Sequence, residues 1–164
     1  MKIDDFISVQ ETEDIAEVAE SLFQRKYQRS VPQFPHHVVA FHRTDEAAPL
    51  PVCYVHFTDC GDILLGGGAC VDDRVLRRMT SAQRDSVRAA GGIYQHALQW
   101  SVRHFSPHFA AIFGYCGDAL AERIDRAVGF DSTPHEHLLV YWTRDSDDGH
   151  RRQMIAKANS FAPF

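Results

Sequence analysis

Arg88, Gly91 and Gly92 stand directly before a segment of this 164-residue chain whose apolar residues have helical spacing. The first turn of a helix presents unpaired backbone N–H groups and a partial positive charge. A nearby arginine adds charge-assisted hydrogen bonds, so such a junction can bind a pyrophosphate. The alternative interpretation of the same three residues is a helix break with an arginine on the surface.

A second glycine-rich segment is the run Gly66–Gly68, inside the apolar stretch 63–71. Glycine weakens the interior of a strand, so three in succession indicate a β-bulge at a tightly packed helix crossing or the close approach of a ligand. We expect ligand approach, given the glycine-containing helical sequence that follows at residues 88–100.

His56 and Cys116 are candidate proton-transfer groups. His56 lies in the middle of a predicted strand, so it is either a half-exposed strand histidine or a general base, since imidazole titrates near neutral pH. Cys116 follows a predicted strand and precedes a helix, where the pKa of a thiol can be lowered. His135 and His137 share one face of a strand, but a zinc site needs further ligands, and we expect no metal.

Composition excludes several classes of protein. The 17 basic and 22 acidic side chains give a net charge of −5, which disfavours a general binder of nucleic acid or of anionic membranes. The nearly apolar run 63–71 is too short to span a bilayer. The acidic N-terminus has no hydrophobic secretory segment, and the four cysteines form no CxxC pair, so we expect reduced thiols in the cytoplasm.

Strand-like and helix-like patterns alternate along the chain. The step from strand 63–71 through helical sequence to strand 108–115 predicts a parallel crossover. The expected fold class is therefore α/β, a mixed central sheet with helices on both faces, formed by residues 1–143. Residues 144–164 follow as a tail that is either a short docked helix or mobile. The predicted strands are 6–10, 37–42, 52–58, 63–71, 108–115 and 137–142. Helices are predicted from residue 13 to about residue 25, between residues 71 and 105, and from 118 to 128.

Residues 118–130, DALAERIDRAVGF, are similar to the last-helix pattern N-x-x-A-x-x-L-Y-x-x-x-G-F of the GNAT superfamily of N-acetyltransferases. Residues 88–100, RAAGGIYQHALQW, resemble the cofactor loop Q/R-x-x-G-x-G/A of the same superfamily. The sequence departs from these patterns at Ile93, where a small residue is usual, and at Asp125, where many members have a tyrosine. The chain thus resembles a divergent GNAT member.

The resemblance implies an acyl-CoA-dependent N-acyltransferase that uses acetyl-CoA or another acyl-CoA. The acceptor would be a small-molecule or protein amine that attacks the thioester directly. His56, or Asp72 through water, would accept the proton of the amine, and Tyr115 or Asp118 would assist the departing thiolate. The thioester would lie between strands 63–71 and 108–115. The residues implied in cofactor binding are Gly67, Gly68, Ala69, Cys70, Val71, Arg88, Gly91 and Gly92.

Two other functions are compatible with the same resemblance. One is a non-catalytic protein with this fold that binds a ligand or partner. The other is an acyltransferase whose donor is an acyl carrier protein, docked on the basic segment 72–87. The loops 24–36 and 131–136 would select the acceptor. Tyr141 and Trp142 on the last strand offer a contact for a homodimer.

Overall fold

The computed structural model describes residues 1–13, 15–30, 35–44 and 48–164. Part of the predicted acceptor loop 24–36, residues 31–34, lies outside this description. The strands are β1 (Ile7–Glu11), β2 (His36–His42), β3 (Leu50–Cys60), β4 (Ile63–Val71), β5 (Ala111–Tyr115), β6 (Asp131–Ser132) and β7 (Leu138–Trp142). The helices are α1 (Ile15–Tyr27), α2 (Asp73–Arg78), α3 (Ser81–Ala89), α4 (Ile93–Phe105), α5 (Ala119–Val128) and α6 (Asp148–Asn159).

The strands form one mixed sheet in the order β1-β2-β3-β4-β5-β7-β6. β4 and β5 are parallel, as the crossover pattern predicted, whereas β1 pairs antiparallel with β2 and β7 pairs antiparallel with both β5 and β6. The short strand β6 was missed, because two exposed residues carry no alternation of apolar and polar side chains. The α/β class and the mixed sheet are confirmed.

The chain forms two compact units, one of residues 1–56 and 69–97, the other of residues 57–68 and 98–164. In the first unit, α1 packs on the sheet through residues spaced three and four apart, as expected for one buried helical stripe. The buried members of this cluster are Ile15, Ala19, Leu22, Phe23, Val39, Tyr54 and Cys70.

In the second unit, alternate residues of β4, β5 and β7 face the last helix, α6. Met154 and Ala158 of α6 are buried in this cluster, and the Lys157 ammonium donates a hydrogen bond to Asp62 Oδ1 at 2.6 Å. Residues 148–159 of the expected tail are therefore a packed helix. Tyr141 packs on Phe130, with ring centroids 5.6 Å apart, so part of the apolar surface suggested for a homodimer is covered within the unit.

Capping residues define the ends of several helices. Thr80 and Gln83 form the capping box of α3, and the Asp118 carboxylate accepts hydrogen bonds from the first turn of α5. Gly129 ends α5 with a φ of +117°, a left-handed conformation in which glycine is favoured. The helical segment between β4 and β5 is divided into α2, α3 and α4, with the second break at Gly91 and Gly92, as predicted.

Candidate functional site

β4 continues beyond its pairing with β5. The parallel ladder runs from Ile63 opposite Ala111 to Gly66 opposite Gly114, whereas β4 extends to Val71. A Cβ atom at Gly66 would lie 3.2 Å from a ring carbon of Phe57 and 3.3 Å from the carbonyl oxygen of Phe113. Tight packing thus favours glycine at the first position of the run. Gly67 and Gly68 begin the part of β4 beyond the ladder.

Residues 67–71 present a partly accessible surface. Gly68 is exposed, and Gly67, Ala69 and Val71 are half-buried. Cys70 differs, because its side chain is buried in the α1 cluster. Burial raises the pKa of the Cys70 thiol to about 11. Of the five β4 residues implied in cofactor binding, Cys70 can therefore contribute through its backbone but not through its thiol.

The junction of α3 and α4 is a helix break, and it leaves open space beside one of its two glycines. Gly91 and Gly92 have φ angles of +83° and +103°, and their N–H groups donate to Arg88 and Val87 carbonyls at 3.0 and 2.9 Å. These amides end α3 and are not available to a phosphate. A Cβ at Gly92 would meet nothing within 4 Å, so the space beside Gly92 is open, whereas a Cβ at Gly91 would clash with the side-chain amide of Gln95.

Arg88 is not directed into this junction by any described contact. Its guanidinium lies 3.0 Å from the Asp85 carboxylate, one turn earlier on α3, and both side chains are largely exposed. An exposed pair of this kind contributes little to stability and can exchange for another anion. Arg88 can therefore reach a phosphate only by leaving Asp85.

His56 is buried rather than half-exposed, which corrects the simpler of its two interpretations; only 7% of its surface is accessible. It lies in a row of buried rings with Tyr54, at a centroid distance of 5.7 Å, and with His37, whose Nδ1 is 2.9 Å from Tyr54 Oη. Burial and the charge of His37 lower the pKa of His56 to about 4. His56 is thus neutral at pH 7 and a weaker base than an exposed histidine.

Tyr115 and Asp118 have different surroundings. Tyr115 ends β5, half-buried, with its ring 5.8 Å from that of His137 and 5.9 Å from that of Phe164. The Asp118 carboxylate is exposed and accepts the N–H groups of Leu120 and Ala121 at 3.0 and 2.9 Å. Asp118 is therefore already engaged as a helix cap.

The expected lowering of the Cys116 pKa is wrong. Burial and the neighbouring Asp125 carboxyl raise the pKa of this thiol far above its ordinary value. Cys116 Sγ donates a hydrogen bond to Asp125 Oδ2 at 3.1 Å, and both side chains are buried. The sequence alone could not reveal this contact, because it depends on how α5 packs against the end of β5.

Replacing Gly114 by alanine is expected to lower the free energy of unfolding by about 1–2 kcal/mol, since overpacking a tight site typically costs about 1–3 kcal/mol. The added Cβ would lie 2.8 Å from the buried Asp125 Oδ2. Urea unfolding measures the change. Gly117→Ala is the matched control, because a Cβ there meets nothing within 4 Å; equal losses in both variants would contradict the packing.

A small cavity lies where β4 passes into α2. Asp72 caps α2 by accepting the Arg74 N–H, and its Oδ2 is 2.6 Å from Arg25 Nη2. Although burial alone would raise the pKa of Asp72, the hydrogen bonds from Arg25 and the Arg74 amide outweigh it, and the pKa is lowered. An ionised carboxylate held in this way is a poor proton acceptor. The cavity has a volume of about 150 Å³ and is lined by Leu22, Arg25, Lys26, Val71, Asp72, Asp73, Arg74 and Arg77.

Replacing Asp72 by asparagine is expected to lower the free energy of unfolding at pH 7 by about 1 kcal/mol through the lost ion pair with Arg25, since asparagine caps a helix about as well as aspartate does. Because the folded pKa of Asp72 lies below the unfolded one, its contribution is complete above the unfolded pKa and is lost as the pH falls through the folded pKa. Unfolding curves of both proteins should therefore converge below roughly pH 4. A difference that persists undiminished at pH 2 would contradict the ion pair.

Within the described ranges, no group of three or more histidine, cysteine, aspartate or glutamate side chains is placed to hold a metal ion. Among the helices of the described residues, none has the length and apolar character needed to cross a bilayer.

No protein-family model matches the chain. No curated protein sequence matches it either. Several solved structures match the chain. YhhK from Escherichia coli, bound to coenzyme A, is 15% identical to it and superposes with a TM-score of 0.55; the match covers 83% of this chain and 98% of YhhK. The ribosomal-protein-S18-alanine N-acetyltransferase from Escherichia coli is 10% identical with a TM-score of 0.57, over 87% of this chain and 97% of that one.

A third match is the ribosomal-protein-S5-alanine acetyltransferase from Vibrio fischeri, which is 8% identical with a TM-score of 0.53, over 87% of this chain and 96% of that one. At these identities the matches establish the fold. The chain therefore has the fold of the GNAT N-acetyltransferases, as the pattern of residues 118–130 predicted.

Proposed function

We propose that this protein is an acyl-CoA-dependent N-acyltransferase. The observation that carries the proposal is the extension of β4 beyond its ladder with β5, from Gly67 to Val71, in a chain with the GNAT fold. A solved structure of that fold, YhhK, is bound to coenzyme A. An acyl-CoA supplies an activated thioester, from which the acyl group passes to an amine as the carbon–sulfur bond breaks.

Residues 67–71 and the start of α4 are the proposed donor site. The exposed Gly68 and the half-buried Gly67, Ala69 and Val71 let an extended molecule approach the backbone of β4. The 13-residue helix α4 begins beside the open space at Gly92 and would bind the phosphates through its first-turn amides. Arg88 would add a charge once released from Asp85.

The proton-transfer roles are part of the proposal. His56 is neutral at pH 7 and would accept the proton of the amine through water, as a weak base. Tyr115 carries a hydroxyl at the end of β5 and would protonate the departing thiolate. Asp118 would act indirectly, by capping α5 directly after this strand.

Replacing Tyr115 by phenylalanine is expected to lower kcat about tenfold, a modest effect for general acid catalysis because water can replace a lost proton donor. The dissociation constant of coenzyme A should not change. Release of free thiol from acetyl-CoA measures the rate. Tyr141→Phe is the matched control, because Tyr141 is half-buried on β7 and packs on Phe130; equal rates for both variants would remove Tyr115 from the mechanism.

The same thiol-release assay tests the proposed function with a panel of amines. Thiol release that requires both acetyl-CoA and an amine is the expected result. Binding of coenzyme A without release in the presence of any amine would indicate the non-catalytic alternative. Faster transfer from an acyl carrier protein would change the donor, and its docking site would be the basic segment 72–87.

A further inference from the structure

The cavity between the C-terminal end of α1 and the start of α2, here the Arg25 cavity, is not used by the donor site described above. Its walls come from α1, from the end of β4 and from α2, all within the first unit. Within the part of the chain that the structure describes, no residue of the α3–α4 junction lines it.

The lining of the Arg25 cavity is basic, although the whole chain has a net charge of −5. Among the described residues that line it, four have cationic side chains and two have carboxylates, which leaves two positive charges in excess in this set. Asp72 is 7% exposed and is already neutralised by Arg25 at 2.6 Å. Lys26, Arg74 and Arg77 remain to bind a ligand, and Asp73 is the other carboxylate within the described part of the lining.

The cavity has the size of a chemical group rather than of a whole ligand. Its volume of about 150 Å³ is several times the roughly 30 Å³ that a water molecule occupies in the liquid, and below the roughly 300 Å³ of small ligand pockets. A phosphate or carboxylate fits this volume. Val71 and Asp72 in the wall connect the cavity directly to the β4 segment proposed to bind the thioester.

We propose that the Arg25 cavity binds the anionic group, a phosphate or a carboxylate, of the acyl acceptor. This inference rests on the proposed function for the identity of the ligand as an acceptor. The amine of such a molecule would lie outside the cavity, toward residues 67–71, and Lys26, Arg74 and Arg77 would hold its anionic end. The ion pair between Arg25 and Asp72 joins α1 to the start of α2, and residues of both helices line the cavity.

Inorganic phosphate is the first probe, titrated by calorimetry with and without saturating coenzyme A. Arg77→Gln is expected to raise the dissociation constant of phosphate about fivefold, the upper range for one exposed ion pair. Arg78→Gln is the matched control, because Arg78 is the next residue of α2, is also exposed, and is not among the described residues that line the cavity. Both variants lose one positive charge, so a difference between them reports the cavity rather than net charge.

Matched amines then test the acceptor: phosphoethanolamine against ethanolamine, and glycine against glycinamide. The wild-type protein and Arg78→Gln should have the higher kcat/KM for the anionic member of a pair, and Arg77→Gln should reduce that preference about fivefold. Equal phosphate affinity in the two variants would overturn the inference. A matching rise in the dissociation constant of coenzyme A in Arg77→Gln would also overturn it, since the cavity would then belong to the donor.

The two proposals fail separately. If no amine is acylated but phosphate binding depends on Arg77 and not on Arg78, the proposed transferase function is wrong, whereas the binding of an anion in the Arg25 cavity is supported. If the wild-type protein acylates neutral amines as fast as anionic ones, the proposed transferase function is supported, whereas the inference about the acceptor is wrong.

Discussion

Replacing Gly68 by leucine is expected to raise the dissociation constant of coenzyme A about 100-fold, equivalent to about 2.7 kcal/mol. Gly68 is exposed on the part of β4 beyond its ladder with β5. Its φ angle is not in the left-handed region, so a side chain is compatible with its backbone. A leucine there would occupy the space beside the strand in which the donor is proposed to lie.

The size of the substituent provides the control. Gly68→Ala should weaken binding much less than Gly68→Leu, because a methyl group occupies little of the space that the donor needs. Both variants should unfold at temperatures close to that of the wild-type protein, since an exposed position tolerates either side chain. Unchanged affinity in the folded leucine variant would exclude this part of β4 from the donor site.

Lowering the pH from 7 to 4 is expected to reduce the free energy of unfolding by about 3 kcal/mol through His56 alone. The pKa of His56 is about 4 in the folded protein, because the ring is buried and lies near His37, against an ordinary value of 6.5. Between these values the unfolded chain binds a proton that the folded one does not. Stability therefore decreases as the pH falls from 6.5 toward 4.

His56→Gln isolates this effect, because glutamine is polar but does not titrate. Titratable groups that do not interact with His56 contribute equally to both proteins, so the difference between their urea unfolding curves reports His56 together with its coupling to His37. The loss of stability on acidification should be about 3 kcal/mol smaller in the variant. Parallel curves for the two proteins across this range would mean that His56 titrates normally.

Local chemistry explains which parts of the fold the sequence predicts. β4 has its predicted bounds, Ile63–Val71, because an unbroken apolar run begins directly after the turn at Gly61. α5 begins and ends where predicted, because Asp118 is an N-cap and Gly129 a left-handed C-cap, both read from single residues. The boundary between α2 and α3 follows from the capping box at Thr80.

The surroundings of the site residues depend on long-range packing and were harder to predict. The pair Arg25–Asp72 joins residues 47 positions apart, and the sequence gives no sign of it. The burial of His56 could have been suspected from its apolar neighbours, but the row with His37 and Tyr54 depends on the register of two strands. Cys116 was misjudged because a helix start predicts a lowered pKa, whereas a buried carboxyl neighbour raises it.

The donor site on β4 is tested most directly by a titration of ¹⁵N-labelled protein with coenzyme A, followed through backbone amide chemical shifts. The account predicts saturable shifts that are largest at residues 67–71 and in the first turn of α4, at residues 93–95. Amide shifts that stay unchanged at millimolar coenzyme A, or that change only at α6, would contradict it.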